Sequence, residues 1–191
     1  GRTHMVASGH YSTAMAGYRV LEQGGNAIDA AVAATFASTV VEPARAGIGG
    51  HLMVMIYLAK SGRVVCIDGS GWSGRRATVD YFRKVGSLPF HGPLAPIVPG
   101  AVEALLRAQE KYGRARRPVV LQPSIELAED GFAVSESLAS LLKSSRTSLA
   151  RWPSTKAMWF RDDQPLRAGD FVVQKDLAGT LRTIASGGRD A

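Results

Sequence analysis

The chain has 191 residues, 46% apolar and 20% charged, with 23 Lys and Arg against 16 Asp and Glu, a formal charge of +7. These values exclude wholesale disorder and suffice for one domain with a real core. The basic excess is dispersed over Lys111 to Arg117, Arg75-Arg76 and Arg83-Lys84, with no interleaved aromatics, zinc-finger spacing or RNP-like motif, which argues against a nucleic-acid partner.

In chain order, Ser12 to Gln23 is predicted as a helix ended at Gly24-Gly25, where a left-handed residue is needed. Asn26 then caps a second helix, Ala27 to Val41, with Asp29 in its first turn. Its many alanines on every face predict a buried helix, and Pro43 ends it. Glycines 47, 49 and 50 follow. Leu52 to Tyr57 and Val64 to Asp68 are apolar runs joined by a Gly62 turn, a hairpin predicted to be covered on both faces. Cys66, the single cysteine, falls in the second run and is expected to be a buried core thiol, with no disulfide or Cys-based metal site. Gly69 to Gly74 leaves the hairpin as a loop.

The remainder is predicted to be mainly helical. Val79 to Lys84 forms a short turn, and Ala101 to Lys111 a longer helix after Pro99-Gly100. Pro118 to Asp130 is expected to be broken at Pro123. Ser135 caps a helix with Leu138, Leu141 and Leu142 inward. Residues 147–175 are expected to be irregular, and Asp176 to Ser186 a last helix. The fold class is α/β, read as a single domain over 1–191. No run reaches the roughly 18 apolar residues of a membrane span, and residues 1–6 contain no signal-peptide core. His4, His10, His51 and His91 fall in no metal-binding spacing, and neither a metal nor a cofactor is expected. No Ser lies in G-x-S-x-G.

One ordered set of blocks is far more specific. It comprises Gly24-Gly25-Asn26-Ala27-Ile28-Asp29-Ala30-Ala31, Val41-Glu42-Pro43, Gly47-Ile48-Gly49-Gly50, Ile67-Asp68 and Val98-Pro99-Gly100, then Lys111-Tyr112-Gly113-Arg114, Leu121-Gln122-Pro123-Ser124-Ile125, Ala128-Glu129-Asp130-Gly131-Phe132 and Val134-Ser135. In this order the blocks resemble the N-terminal part of the large subunit of the gamma-glutamyltranspeptidase family. The resemblance implies part of an N-terminal-nucleophile hydrolase, an αββα sandwich made from a self-cleaved precursor. In that family a threonine at the new N-terminus of a small subunit attacks a γ-glutamyl amide and forms an acyl-enzyme, which passes to water or an amino acid.

The Thr-Thr-His cleavage motif is absent, so no catalytic residue is assigned in this chain. Thr3-His4 echoes it only superficially, at the opposite end of the chain order. The chain alone is expected to be inactive, with a small subunit as partner and a small-molecule γ-glutamyl or other acyl amide as substrate. The family's arginine for the donor carboxylate stands in an Asp-Phe-Arg-Glu-like segment. Here the segment reads Asp68-Gly69-Ser70-Gly71, with Ser70 at the arginine's place. A charge-assisted bond contributes about 1.5–3 kcal/mol against ~1 for a neutral one, so the exchange weakens γ-glutamyl selectivity roughly tenfold or more.

Arg75 and Arg76 either reach back to the pocket or are surface arginines. Trp72 either lines a more apolar acyl pocket or packs on the hairpin. Gly47, Gly49 and Gly50 either form the pocket floor or serve close packing alone. The alternatives to a γ-glutamyl enzyme are a related amidohydrolase or cephalosporin-acylase-like enzyme, and a non-catalytic fragment needing a partner chain.

Overall fold

The computed structural model describes residues 3–87, 92 and 94–190. These divide into two compact units, Gly1–Gly47 with Tyr112–Ala191, and Ile48–Lys111.

In the first unit, α1 (Tyr11–Glu22) and α2 (Ala27–Val41) form an antiparallel pair joined by the predicted glycine turn, with Gly24 at φ +87°. His10 caps α1 by accepting from Ser12 N through Nδ1. Asn26 and Asp29 form a reciprocal capping box. Asp29 does more than cap. Fully buried, it accepts through Oδ2 from the backbone N–H of Asn26 (2.9 Å), Arg114 (2.8 Å) and Ala115 (3.0 Å), while the Asn26 amide donates to Tyr112 O at 2.7 Å. One carboxylate thus fastens the start of α2 to the segment before the next helix. The alanine-rich α2 is buried as predicted, with Val32, Phe36 and Val40 in the core.

Helix α5 (Arg117–Glu129) packs on α2 on one side and on α9 (Lys175–Gly187) on the other. The expected break at Pro123 does not occur. Pro123 has no N–H for the carbonyl one turn back, but it is buried with Leu121, Ser124 and Ile125, and this packing outweighs the lost bond. Arg117 donates to Ala185 O and Ser186 O, so one cation of the basic run caps the end of α9. Ser135 caps α6 (Glu136–Ser144) through Leu138 N, and Leu138 and Leu142 are buried.

The segment expected to be irregular is ordered. It holds α7 (Arg146–Leu149), α8 (Pro153–Trp159) and a hairpin of β4 (Phe160–Arg161) and β5 (Gln164–Pro165). Asp162 and Asp163 turn this hairpin at φ +49° and +60°, the two-residue turn with both φ positive. Trp159 is buried and Trp152 exposed. Phe132–Ala133 (β3) pairs with Phe171–Val172 (β6), bringing the chain back before α9.

In the second unit, β1 (Leu52–Leu58) and β2 (Arg63–Gly69) form the predicted antiparallel hairpin, registered Leu52↔Gly69 through Leu58↔Arg63. Helices α3 (Val79–Val85) and α4 (Ala101–Tyr112) follow, α3 capped by Thr78 on Tyr81 N. Among the described residues only one face of the hairpin is covered. Ile56 and Gly69 are buried, the latter against Ala104 of α4, whereas Met55 (77%) and Tyr57 (66%) are exposed together with Met53, Val64 and Cys66. The expectations of two covered faces and of a buried thiol are therefore corrected. Cys66 stands opposite Met55 on the open face.

Candidate functional site

Three backbone segments of the second unit converge where β2 ends. Trp72 exchanges both ladder bonds with Val98, Trp72 N to Val98 O at 3.2 Å and Val98 N to Trp72 O at 2.8 Å. Ala101 N, at the start of α4, donates to Gly50 O at 3.2 Å. Between these bonds the chains touch backbone to backbone. A Cβ on Gly100 would lie 2.6 Å from Gly69 O and 2.8 Å from Gly71 N. A Cβ on Gly71, which has φ +81°, would run into Val98 O. Only glycine fits at these two positions.

Of the residues singled out from sequence, this junction gathers Gly50, Ser70 and Trp72. Arg75 and Arg76 follow on the same exposed loop, which turns through Ala77 N to Gly74 O (2.8 Å) and Thr78 N to Arg76 O (2.9 Å). Neither arginine forms an ion pair among the described residues. Gly49 belongs to the same unit, while Gly47 ends the first.

Packing does not account for Gly47 or Gly49. A Cβ on either would meet nothing within 4 Å, and neither has a positive φ. Among the described residues the close backbone approach in this unit is made by Gly69, Gly71 and Gly100. Sequence reasoning did not single these out, because the two glycine segments lie about thirty residues apart and nothing local shows that they meet. The paired signals were Gly69-Ser70-Gly71 and Pro99-Gly100.

Ser70 is already engaged. Its N–H donates to Asp68 Oδ1 at 2.9 Å, and its hydroxyl, with this N–H, holds the exposed Asp68 carboxyl below its ordinary range. A serine beside an anion is a poor substitute for a guanidinium, since the neighbouring carboxylate repels a substrate carboxylate. Trp72 is 79% exposed, so its side chain does not pack on the hairpin.

His4 pairs with Glu22 Oε1 at 3.1 Å, and His10 is a cap. His91 lies outside the described residues. Among the described residues no group of three or more His, Cys, Asp or Glu could hold a metal, and no helix is long and apolar enough to cross a membrane. Among the described residues of the first unit lie two open concavities. One, of about 800 Å³, lies between residues 3–9 and the α1–α2 pair, and the other, of about 290 Å³, lies beside His10, Glu42, Arg45 and α6; neither includes Ser70, Trp72, Arg75 or Arg76.

These features define an α/β chain whose exposed, glycine-clamped loop follows the first hairpin. The family model described as Gamma-glutamyltranspeptidase matches residues 13–191, and the chain belongs to that family. It is 38% identical over 197 residues to the glutathione hydrolase proenzyme of Bacillus subtilis (strain 168), covering 100% of this chain and 33% of that protein. It is 38% identical over 202 residues to the acylase ACY 1 proenzyme of Pseudomonas sp. (strain V22), covering 100% of this chain and 36% of the relative. The crystal structure of Helicobacter pylori gamma-glutamyltranspeptidase superposes with a TM-score of 0.92 at 38% identity, over 98% of this chain and 55% of that one. The chain thus spans about a third of the length of the curated relatives it matches. Its fold is the expected α/β one, a portion of the N-terminal-nucleophile hydrolase sandwich.

Proposed function

We propose that this chain is the N-terminal part of the large subunit of a gamma-glutamyltranspeptidase-like amide hydrolase or acyltransferase. Residues 1–191 then belong to one domain that the rest of the precursor completes. The observation that carries this reading is the family match over residues 13–191, joined to the fold agreement with the Helicobacter pylori enzyme.

The nucleophile is a threonine at the new N-terminus of a small subunit, outside this chain. Its hydroxyl attacks the amide carbon while its free amine takes the proton and delivers it to the departing amine. The acyl-enzyme ester then passes its acyl group to water or to an amino acid. This chain supplies donor recognition through Ser70, Trp72, Arg75 and Arg76, with Gly47, Gly49 and Gly50 as pocket backbone.

A second reading, a related amidohydrolase or a cephalosporin-acylase-like enzyme with a non-glutamyl acyl group, is favoured by one observation. By the family resemblance Ser70 stands where the carboxylate clamp would be, and its backbone N–H is bonded to the Asp68 carboxylate. Assay of the full-length, processed gene product on γ-glutamyl-p-nitroanilide and on a simple acyl p-nitroanilide tests both readings. Turnover of the acyl amide supports the second, and robust γ-glutamyl turnover refutes the weakening ascribed to Ser70. Absence of both activities in processed protein refutes the enzyme reading. The 191-residue chain alone is expected to hydrolyse neither.

A further inference from the structure

A tryptophan left in water forgoes the burial that makes it useful, an area on the order of 150–250 Å². Trp72 is 79% exposed, yet its backbone is among the most constrained in the second unit. Two ladder bonds to Val98 hold it, Gly71 precedes it at φ +81°, and Gly71 and Gly100 each lie where any Cβ would strike backbone. Its neighbours Ile97 and Val98 are exposed as well. The segment therefore spends constraint on presenting an indole rather than on burying one. Fixing a side chain's position before a ligand arrives lowers the ordering cost of binding.

At the clamp position itself nothing calls for a charged ligand end; Arg75 and Arg76 follow three and four residues after Trp72 on the same exposed loop. Asp68 accepts the Ser70 backbone N–H at 2.9 Å, so the charged group beside the clamp position is a carboxylate, which opposes another carboxylate. An apolar surface with one indole N–H suits an uncharged acyl chain whose carbonyl can accept that hydrogen bond.

We propose that Trp72 is a specificity-determining residue of the donor site, receiving an aromatic or aliphatic acyl group that lacks an amino-acid end, and that Gly71 and Gly100 are positioning residues for it. This rests on the reading of the chain as part of an amide acyltransferase.

The test uses the full-length, processed protein and compares kcat and KM for phenylacetyl-p-nitroanilide and γ-glutamyl-p-nitroanilide. The two share a leaving group and differ only in the acyl part. Trp72→Ala is expected to raise KM for the phenylacetyl donor about tenfold or more, within the range a hydrophobic pocket contact commands. The γ-glutamyl KM should change less than about threefold and kcat little. Trp72→Phe should restore most of the loss. Gly71→Ala should reproduce the KM effect by displacing Trp72, while Gly74→Ala, whose Cβ meets nothing within 4 Å, should leave both donors unchanged. Subunit processing on a gel and far-UV circular dichroism verify that each variant folds; if Trp72→Ala fails to process, the Phe and Gly71 variants decide. Equal KM changes for both donors, or none, overturn the proposal while leaving the enzyme reading intact. A processed wild-type protein that hydrolyses neither donor overturns both, and a wild type that turns over the γ-glutamyl donor alone overturns this inference and the weakening ascribed to Ser70 but leaves the enzyme reading intact.

Discussion

Replacing Asp29 by alanine should be among the most damaging single changes in the first unit. Its carboxylate is fully buried, and Oδ2 receives three backbone N–H groups, from Asn26, Arg114 and Ala115. Removing it leaves those donors without their acceptor in a part-buried setting, where each orphaned group costs about 1–3 kcal/mol. It also removes half of the capping box on α2. Some donors will relax toward water, so the expected loss is about 3–5 kcal/mol rather than the full sum. Asp29→Asn keeps an acceptor but makes the bonds neutral. It also places an NH₂ at the position of Oδ1, which is buried and has no partner among the described residues; about 2 kcal/mol is expected. Urea unfolding of the 191-residue chain, followed by far-UV circular dichroism, measures both. With a slope of about 2 kcal/mol/M, the alanine variant should lower the midpoint by roughly 1.5–2.5 M. A shift below about 0.5 M, or an asparagine variant worse than alanine, would show that Asp29 does not fasten the 112–115 segment to α2.

Ser70→Arg should restore a planar charged donor at the clamp position and lower KM for γ-glutamyl-p-nitroanilide about tenfold in the processed protein; an unchanged KM refutes the positional reading of Ser70. Ser70→Ala should let the Asp68 carboxyl rise toward its ordinary value, because the hydroxyl that holds it down is gone, a change readable by NMR titration. Arg19 bonds Glu126 at 2.7 Å and, as the largest cause, lowers its pKa from the ordinary 4.5. A depressed carboxylate stabilises the fold above its unfolded pKa, and that contribution is lost as pH falls through the folded value. Stability should therefore decline below about pH 4.5, and Arg19→Met should flatten this part of the profile. Both partners are more than a third exposed, so a double-mutant cycle at neutral pH should give only about 0.2–1 kcal/mol. Cys66, on the open face of the hairpin, should react fully with a thiol reagent such as DTNB in the native 191-residue chain; protection until unfolding would restore the buried reading.

Local chemistry was legible in the sequence wherever one residue decides one bond. Asn26, Asp29 and Ser135 carry cap signals that require no partner beyond the next turn, and Gly24 ends α1 for an equally local reason. Where a distant contact decides, the local signal failed. Pro123 reads as a helix breaker until α2 and α9 are placed against α5. Asp162-Asp163 is a weaker hairpin signal than Asn-Gly, and the two-residue strands beside it are too short to show a period. In the candidate site, Ser70 was found because it departs from a family pattern, and Trp72 as a nearby residue suited to an apolar acyl pocket. The backbone contact of Gly69 and Gly71 with Val98 and Gly100 joins segments separated by α3.

The placement of the glycines and the corrected expectation about the hairpin have one physical origin. A glycine is required either by its own dihedral angles or by a neighbour, and an apolar side chain in a strand is explained only by what covers it. Gly71 meets both conditions within this chain and Gly100 meets the second, while Gly47 and Gly49 meet neither. Likewise Leu52, Val54 and Ile56 line the covered face of β1, while Met53, Met55 and Tyr57 remain open. Composition records a demand for contact without recording which atoms answer it. Gly71 and Gly100, whose contacts lie within this chain, belong to the part of the candidate site that is formed in advance.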